Sequence, residues 1–315
     1  MSALHAALTE YLATRRALGT QLRWPESALR GFVDFVEAQG AEFVTMELAL
    51  RWTLKSVGVQ HATHAGRLAI VRGFAAWLQA TDARTQVPPR GLLPAKFRRP
   101  APHIYTEGEI SDLIAAAVRL YSTSGLRSAT FKTLIGLLVA TGLRPGEALR
   151  LDGGDVDLGS GILTIRESKF GKSRFVPLEE SVRLALVAYA TFRDTVLPRR
   201  ETRAFLVTER GARLGKHAVR RTFANLCKGV GLRAMGHPRR AGHGPRLQDM
   251  RHSFATRRLI AWYRAGLDVD RLIPRLATYL GHGSTVNTYW YIQAVPELLQ
   301  LATERLEATA RGDGR

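Results

Sequence analysis

Cysteine occurs once in this chain of 315 residues, at Cys227. An internal disulfide and any cysteine-based metal cage are therefore excluded, and Cys227 reads as a small core residue. Acidic residues are also scarce: 27 Asp and Glu stand against 46 Lys and Arg, a formal net charge of +19. An imbalance of this size points to a polyanionic partner, with nucleic acid the default. A basic membrane-surface protein is the alternative. It would need an amphipathic basic anchor or an apolar span, and neither stands out. The first residues, Met1-Ser2-Ala3-Leu4-His5, lead into a polar, amphipathic stretch without the apolar core and cleavage site of a signal peptide. These absences together predict a cytoplasmic protein.

What is present is an ordinary globular composition, 45% hydrophobic, in a chain long enough for two domains. Residues 1–84 read as four helices. Their apolar stripes are Leu4, Leu8, Leu12 and Leu18, then Leu29, Phe32, Val33, Phe35 and Val36, then a segment from about Met46 to Val57, then Leu68, Ile70, Val71, Phe74, Trp77 and Leu78. Arg and Lys occupy the other faces, which suits a small helical DNA clamp as well as a plain bundle. Residues 85–103, TQVPPRGLLPAKFRRPAPH, hold five prolines and cannot sustain a helix. With Arg90, Lys96, Arg98 and Arg99, they read as a basic linker that could lie along a phosphate backbone. Residues 104–315 read as one larger domain, mainly α with a small antiparallel β-sheet. Thr106-Glu107-Gly108-Glu109 starts a helix, and Phe131 to Ala140 forms a buried one. Gly161 to Ile165 and Arg174 to Leu178 form a hairpin across Ser168–Lys172, and Ala204 to Thr208 is a candidate further strand.

Four local signals carry chemistry. In ATGLRPGEAL (140–149), Gly142 stops a helix and Pro145 opens the next, so Arg144 is fixed at their junction with Glu147 one turn on to orient it. Lys169 sits in the hairpin connection SKFGKSRFVPL (168–178), where it could reach into a DNA groove. In DMRHSFAT (249–256) and the residues before it, Gln248 and Arg251 share a helix face at i and i+3. In LGHGSTVNTYWY (280–291), His282 follows a helix-stopping glycine and Tyr291 lies nine positions on. Read singly, each has a plain structural meaning: a surface arginine in a turn, a charged hairpin tip, an amphipathic helix, buried aromatic packing.

In this order, the four motifs resemble the tyrosine recombinase (phage integrase) family. The resemblance covers about Ile104 to Leu299, and the helical N-terminal part suits the same architecture. It implies a SAM-like helical core-binding domain followed by an α+β catalytic domain. It implies site-specific breakage and rejoining of duplex DNA through a 3′-phosphotyrosyl intermediate. Position by position, it makes Arg144 and Arg251 the two catalytic arginines, Lys169 the hairpin lysine, His282 the late histidine and Tyr291 the nucleophile. Arg98, Arg99, Lys172, Arg174 and Arg246 are then expected on DNA. No metal or organic cofactor is implied. The implied partners are double-stranded recombination sites, three further copies of the chain in a tetramer on DNA, and accessory proteins. One position departs from the pattern. Where the family usually carries His three residues before the second arginine, this chain has Gln248, which can hydrogen-bond but cannot serve as a base near neutral pH. Hydrogen bonding by Gln248 alone, substitution by His243 or His252, and an impaired enzyme all stay open. So do topoisomerase-like relaxation of DNA as a monomer and the choice among phage, transposon, integron and chromosomal recombinases.

Overall fold

The structure is a computed structural model that describes residues 2–20, 22–95, 101–166, 173–233, 244–294 and 296–310. Lys169, Lys172, Arg98, Arg99 and His243 lie outside the described residues. The chain divides into two compact units at Pro100/Ala101.

The first unit holds α1 (Ala3–Ala17), α2 (Arg23–Ala38), α3 (Met46–Leu54) and α4 (His61–Leu78). The four stripes read from the sequence converge on one core that includes Leu8, Leu12, Leu29, Phe32, Val36, Leu68, Val71 and Phe74. Ser2 and Thr45 cap α1 and α3 by accepting from the backbone N–H groups of His5 and Leu48. Residues 85–95 are less of a free linker than their prolines suggest. Thr85 is buried, Gln86 bonds through its backbone to Val44 and through its side chain to Met46, and Arg72 donates to the carbonyls of Pro88 and Pro89. Proline carbonyls remain good acceptors after the ring has removed the N–H, so an arginine on α4 can hold the segment down.

The second unit is built around α6 (Leu126–Thr141), which is apolar on nearly every side and packs against α5 (Glu107–Val118), α8 (Glu180–Val196) and α10 (Leu247–Arg264). Thr106 and Glu109 close a capping box at the start of α5. After α6 come the short helix α7 (Pro145–Arg150) and a three-stranded antiparallel sheet of β1 (Val156–Asp157), β2 (Ile162–Ile165) and β3 (Arg174–Pro177), in that order. Leu163 pairs with both Val156 and Val176, and these three point inward, while Phe175 stands exposed on the other face. The expected strand at Ala204 to Thr208 is instead a buried connection with isolated bridges to Asp152 and Arg213. The remaining elements are α9 (Lys216–Gly229), α11 (Val269–Leu280), α12 (Val286–Ala294) and α13 (Pro296–Ala310). α10, α11, α12 and α13 share a smaller core made by Leu259, Ile273, Leu276, Leu280, Tyr291 and Leu298. Among the described residues, no helix is long and apolar enough to cross a membrane.

Candidate active site

The site is assembled at the C-terminal end of α11. A helix leaves its last carbonyl groups without intrahelical donors, and its dipole makes that end negative. Here three arginines from three other elements fill the deficit. Arg174 of β3 donates from Nε to the Tyr279 carbonyl (2.8 Å), Arg251 of α10 from Nη2 to the Leu280 carbonyl (2.6 Å), and Arg144 from Nη2 to the Gly281 carbonyl (3.2 Å). Three successive carbonyls thus gather three guanidinium groups at one place. Arg251 also donates from Nη1 to the Gly142 carbonyl (3.1 Å), which ties α10 to the end of α6.

Two glycines make this closeness feasible. Gly142 and Gly281 end their helices with φ of 61° and 68°, in the left-handed region. A Cβ on Gly142 would meet the Phe254 ring at 2.6 Å, and one on Gly281 would meet the Arg174 guanidinium at 2.8 Å. The position therefore needs glycine for its backbone and again for its surroundings.

Concentrating positive charge needs a counterweight, and Glu147 supplies it. Its side chain is only 2% exposed. Its two oxygens accept from Arg144 Nη1 (2.8 Å) and from Arg174 Nη1 (3.2 Å) and Nη2 (2.9 Å), and one accepts the Arg144 backbone N–H (3.0 Å). Burial works against its ionisation, but the hydrogen bonds and charge of Arg174, then those of Arg144, prevail and hold its pKa down at about 2. Arg251 is moved the other way. Burial, then repulsion from Arg144, lowers its pKa to about 10. A bound anion would relieve that repulsion.

Tyr291 lies on α12, buried between two imidazoles. The His282 ring stacks on it (centroids 6.2 Å apart, planes at 24°) and the His252 ring meets it at 5.4 Å and 58°. His282 begins the connection after α11, its N–H bonded to the Ala277 carbonyl and its Nδ1 2.8 Å from the buried Thr288 hydroxyl. Burial, then the charges of Arg251 and Arg144, pushes the His282 pKa down to about 3, so the imidazole is neutral. The Thr288 hydroxyl fixes the orientation of the ring, and a neutral imidazole offers one donor and one acceptor nitrogen.

The structure therefore brings Arg144, Arg251, His282 and Tyr291 together around the end of α11. Gln248 lies half-buried on α10, one turn before Arg251, and its side chain makes no hydrogen bond among the described residues. Tyr289 is directed elsewhere, 39% exposed and bonded to Asp270. Arg246 is the exposed N-cap of α10, paired with Asp249. Arg174, expected on DNA, faces inward with its side chain only 10% exposed, and is committed to Glu147 and Tyr279. The alternation of the strand carries that information, since Arg174 shares a face with buried Val176. His252, which the sequence leaves open as a substitute for the missing histidine, has its ring against Tyr291, because α12 packs on that side of α10. The fold also presents a basic surface that no sequence motif marks: Lys216, His217, Arg220 and Arg221 are exposed on α9 and form no ion pairs among the described residues. No group of His, Cys, Asp and Glu able to hold a metal ion occurs among the described residues.

The chain is similar to known proteins over most of its length. A sequence model of the Phage integrase family matches residues 104–297. The chain is 42% identical to a putative integrase/recombinase, y4rB, of Sinorhizobium fredii, over 98% of both chains. It is 30% identical to the tyrosine recombinase XerD of Neisseria meningitidis, over 77% of this chain and 76% of that one. In fold it resembles the Tn1549 transposon integrase in complex with transposon right end DNA (TM-score 0.62, 16% identity, 96% of this chain and 99% of that one). It also resembles the lambda integrase tetramer bound to a Holliday junction (TM-score 0.60, 18% identity, 91% and 76%).

Proposed function

The chain belongs to the phage integrase family and is a tyrosine-type DNA recombinase; from that premise we propose that it recombines the ends of a mobile element through a 3′-phosphotyrosyl intermediate. The observation that carries this reading is the convergence of Arg144, Arg251 and His282 beside a buried Tyr291.

The chemistry follows from the charges. As the Tyr291 hydroxyl oxygen attacks a phosphodiester, its proton passes to water, the P–O(Tyr) bond forms, and the bond from phosphorus to the 5′ oxygen breaks. Negative charge builds on the non-bridging oxygens as this happens. Arg144 and Arg251 are permanently charged, rigid donors that stabilise that charge, and neutral His282 adds a donor. The tyrosyl ester conserves the bond energy, and attack by a second 5′-hydroxyl reverses the step. Lys169 supplies the proton that the leaving 5′ oxygen needs. Gln248 orients a phosphate oxygen or the phenol by hydrogen bonding and takes no proton. Arg246, Arg98, Arg99 and Lys172 contact the phosphate backbone, as does the basic face of α9, and Arg174 supports the site from within. The active assembly is four protomers on two duplex sites in the cytoplasm, with accessory proteins setting direction. Domain roles divide accordingly, residues 1–84 gripping DNA, 85–103 joining, and 104–315 cutting.

The test uses nicked duplexes tiled across the DNA that flanks the gene. Wild-type protein is expected to form a detergent-stable adduct on one of them, and Tyr291→Phe none. Failure of wild-type protein to form an adduct on any duplex would overturn the reading.

A further inference from the structure

Arg174 is a third guanidinium in a phosphoryl-transfer site that needs two for the phosphate, and it is nearly closed to solvent. We propose that Arg174 is a charge-balancing positioning residue: by engaging both oxygens of Glu147 it leaves the Arg144 charge available to the scissile phosphate. The inference rests on the phosphotyrosyl chemistry proposed above.

Glu147 is needed where it is, because it accepts the backbone N–H and one guanidinium nitrogen of Arg144 and so fixes the direction in which Arg144 points. Its carboxylate also opposes Arg144 electrostatically, in a buried setting where screening is weak. Alone, the pair Arg144–Glu147 would present almost no net charge to an anion. Arg174 changes that balance. Its Nη1 and Nη2 lie 3.2 and 2.9 Å from the two Glu147 oxygens, a fork-to-fork arrangement that a guanidinium makes and an ammonium does not. Its Nε is used on the Tyr279 carbonyl, so three of its five N–H donors are committed within the protein, and with the side chain only 10% exposed little of it is open to a DNA backbone. The face of the same guanidinium lies on Gly281: a Cβ there would come within 2.8 Å of Nη1, 3.0 Å of Cζ and 3.2 Å of Nε. Held on its edge by Glu147 and on its face by Gly281, Arg174 has one posture. Because Gly281 directly precedes His282 and its carbonyl receives Arg144, that posture also fixes the turn from which two of the catalytic groups are hung.

Neutralising Arg174 leaves Glu147 with Arg144 as its only charged partner among the described residues, and the carboxylate then cancels the charge meant for phosphate. Removing the carboxylate as well should restore it. The test compares Arg174→Gln, Glu147→Gln, the double variant and Arg174→Lys on the nicked duplex that wild-type protein cleaves. Adduct formation by Arg174→Gln is expected to slow about 100-fold, the scale seen on losing one oriented electrostatic group, with DNA affinity changed less than about threefold. The double variant should recover at least about tenfold of that loss. Arg174→Lys, which keeps charge but loses the fork, should fall between wild type and Arg174→Gln. A double variant as slow as Arg174→Gln overturns the proposal, as does DNA affinity that falls in step with rate, which would make Arg174 a DNA contact. If Arg174→Gln does not fold by thermal melting, Arg174→Lys decides: a rate as low as that of Arg144→Ala overturns the proposal. Absence of any wild-type adduct belongs to the parent reading and is recognised separately by that control.

Discussion

Gly281→Ala isolates the packing that the site depends on. Alanine in the left-handed region costs roughly 1–2 kcal/mol of stability, and Gly281 has φ 68°. Gly266 has nearly the same backbone, φ 66°, in the same unit, and a Cβ there would meet nothing within 4 Å. The backbone part of the lost stability should therefore be similar in the two alanine variants. For a domain of this size, roughly 1 kcal/mol corresponds to a fall of about 2–4 °C in melting temperature. Only Gly281→Ala also drives a methyl group into the Arg174 guanidinium. Displacing that group weakens its charged hydrogen bonds to Glu147 and Tyr279 and turns the carbonyl on which Arg144 rests. Losing one such bond is worth about 1.5–3 kcal/mol, and at about 1.4 kcal/mol per decade of rate the expected slowing is roughly 10- to 150-fold. The assay is the single-turnover rate of adduct formation on a nicked duplex at a temperature where both variants are folded. Gly266→Ala should cleave at close to the wild-type rate. Equal rates for the two variants would refute the claim that Gly281 is there to admit Arg174.

Other expectations follow from the same geometry. Arg144→Ala and Arg251→Ala should each slow cleavage by about 10²–10³, whereas Gln248→Ala should cost less than about tenfold; equal and complete loss in all three would contradict the helper role of Gln248. In the DNA-free protein, His282 should stay neutral far below the ordinary histidine range, because burial and neighbouring arginines lower its pKa to about 3; an NMR titration with a midpoint near 6.5 would contradict this. Glu147 has a folded-state pKa of about 2, below its ordinary 4.5. Its contribution to stability is therefore complete above about pH 4.5 and is lost as pH falls toward 2. Acid unfolding of Glu147→Gln should show a smaller loss of stability through that window, and an unchanged acid transition would argue against the network.

The sequence was most informative where chemistry is local. The turn at Arg144 is spelled by a glycine that stops one helix and a proline that starts the next, and Glu147 one turn later does hold Arg144 as the spacing suggests. The four N-terminal helices were legible from their apolar stripes. What could not be read was the meeting of distant elements. Nothing in LGHG announces that three arginines from positions 144, 174 and 251 will bond successive carbonyls there, because that depends on how α10, β3 and α7 pack around α11. For the same reason, helical periodicity could not show that α12 would lay Tyr291 against His252. Tyr289 and Tyr291 differ by two residues and so point apart, but only the packing of α12 determines which is buried against His282.

Peptide mapping of the protein–DNA adduct trapped on a nicked duplex identifies the nucleophile. The nucleotide should be carried by Tyr291, Tyr291→Phe should abolish the adduct, and Tyr289→Phe should leave it intact. An adduct on Tyr289, or one that survives Tyr291→Phe, would contradict that assignment.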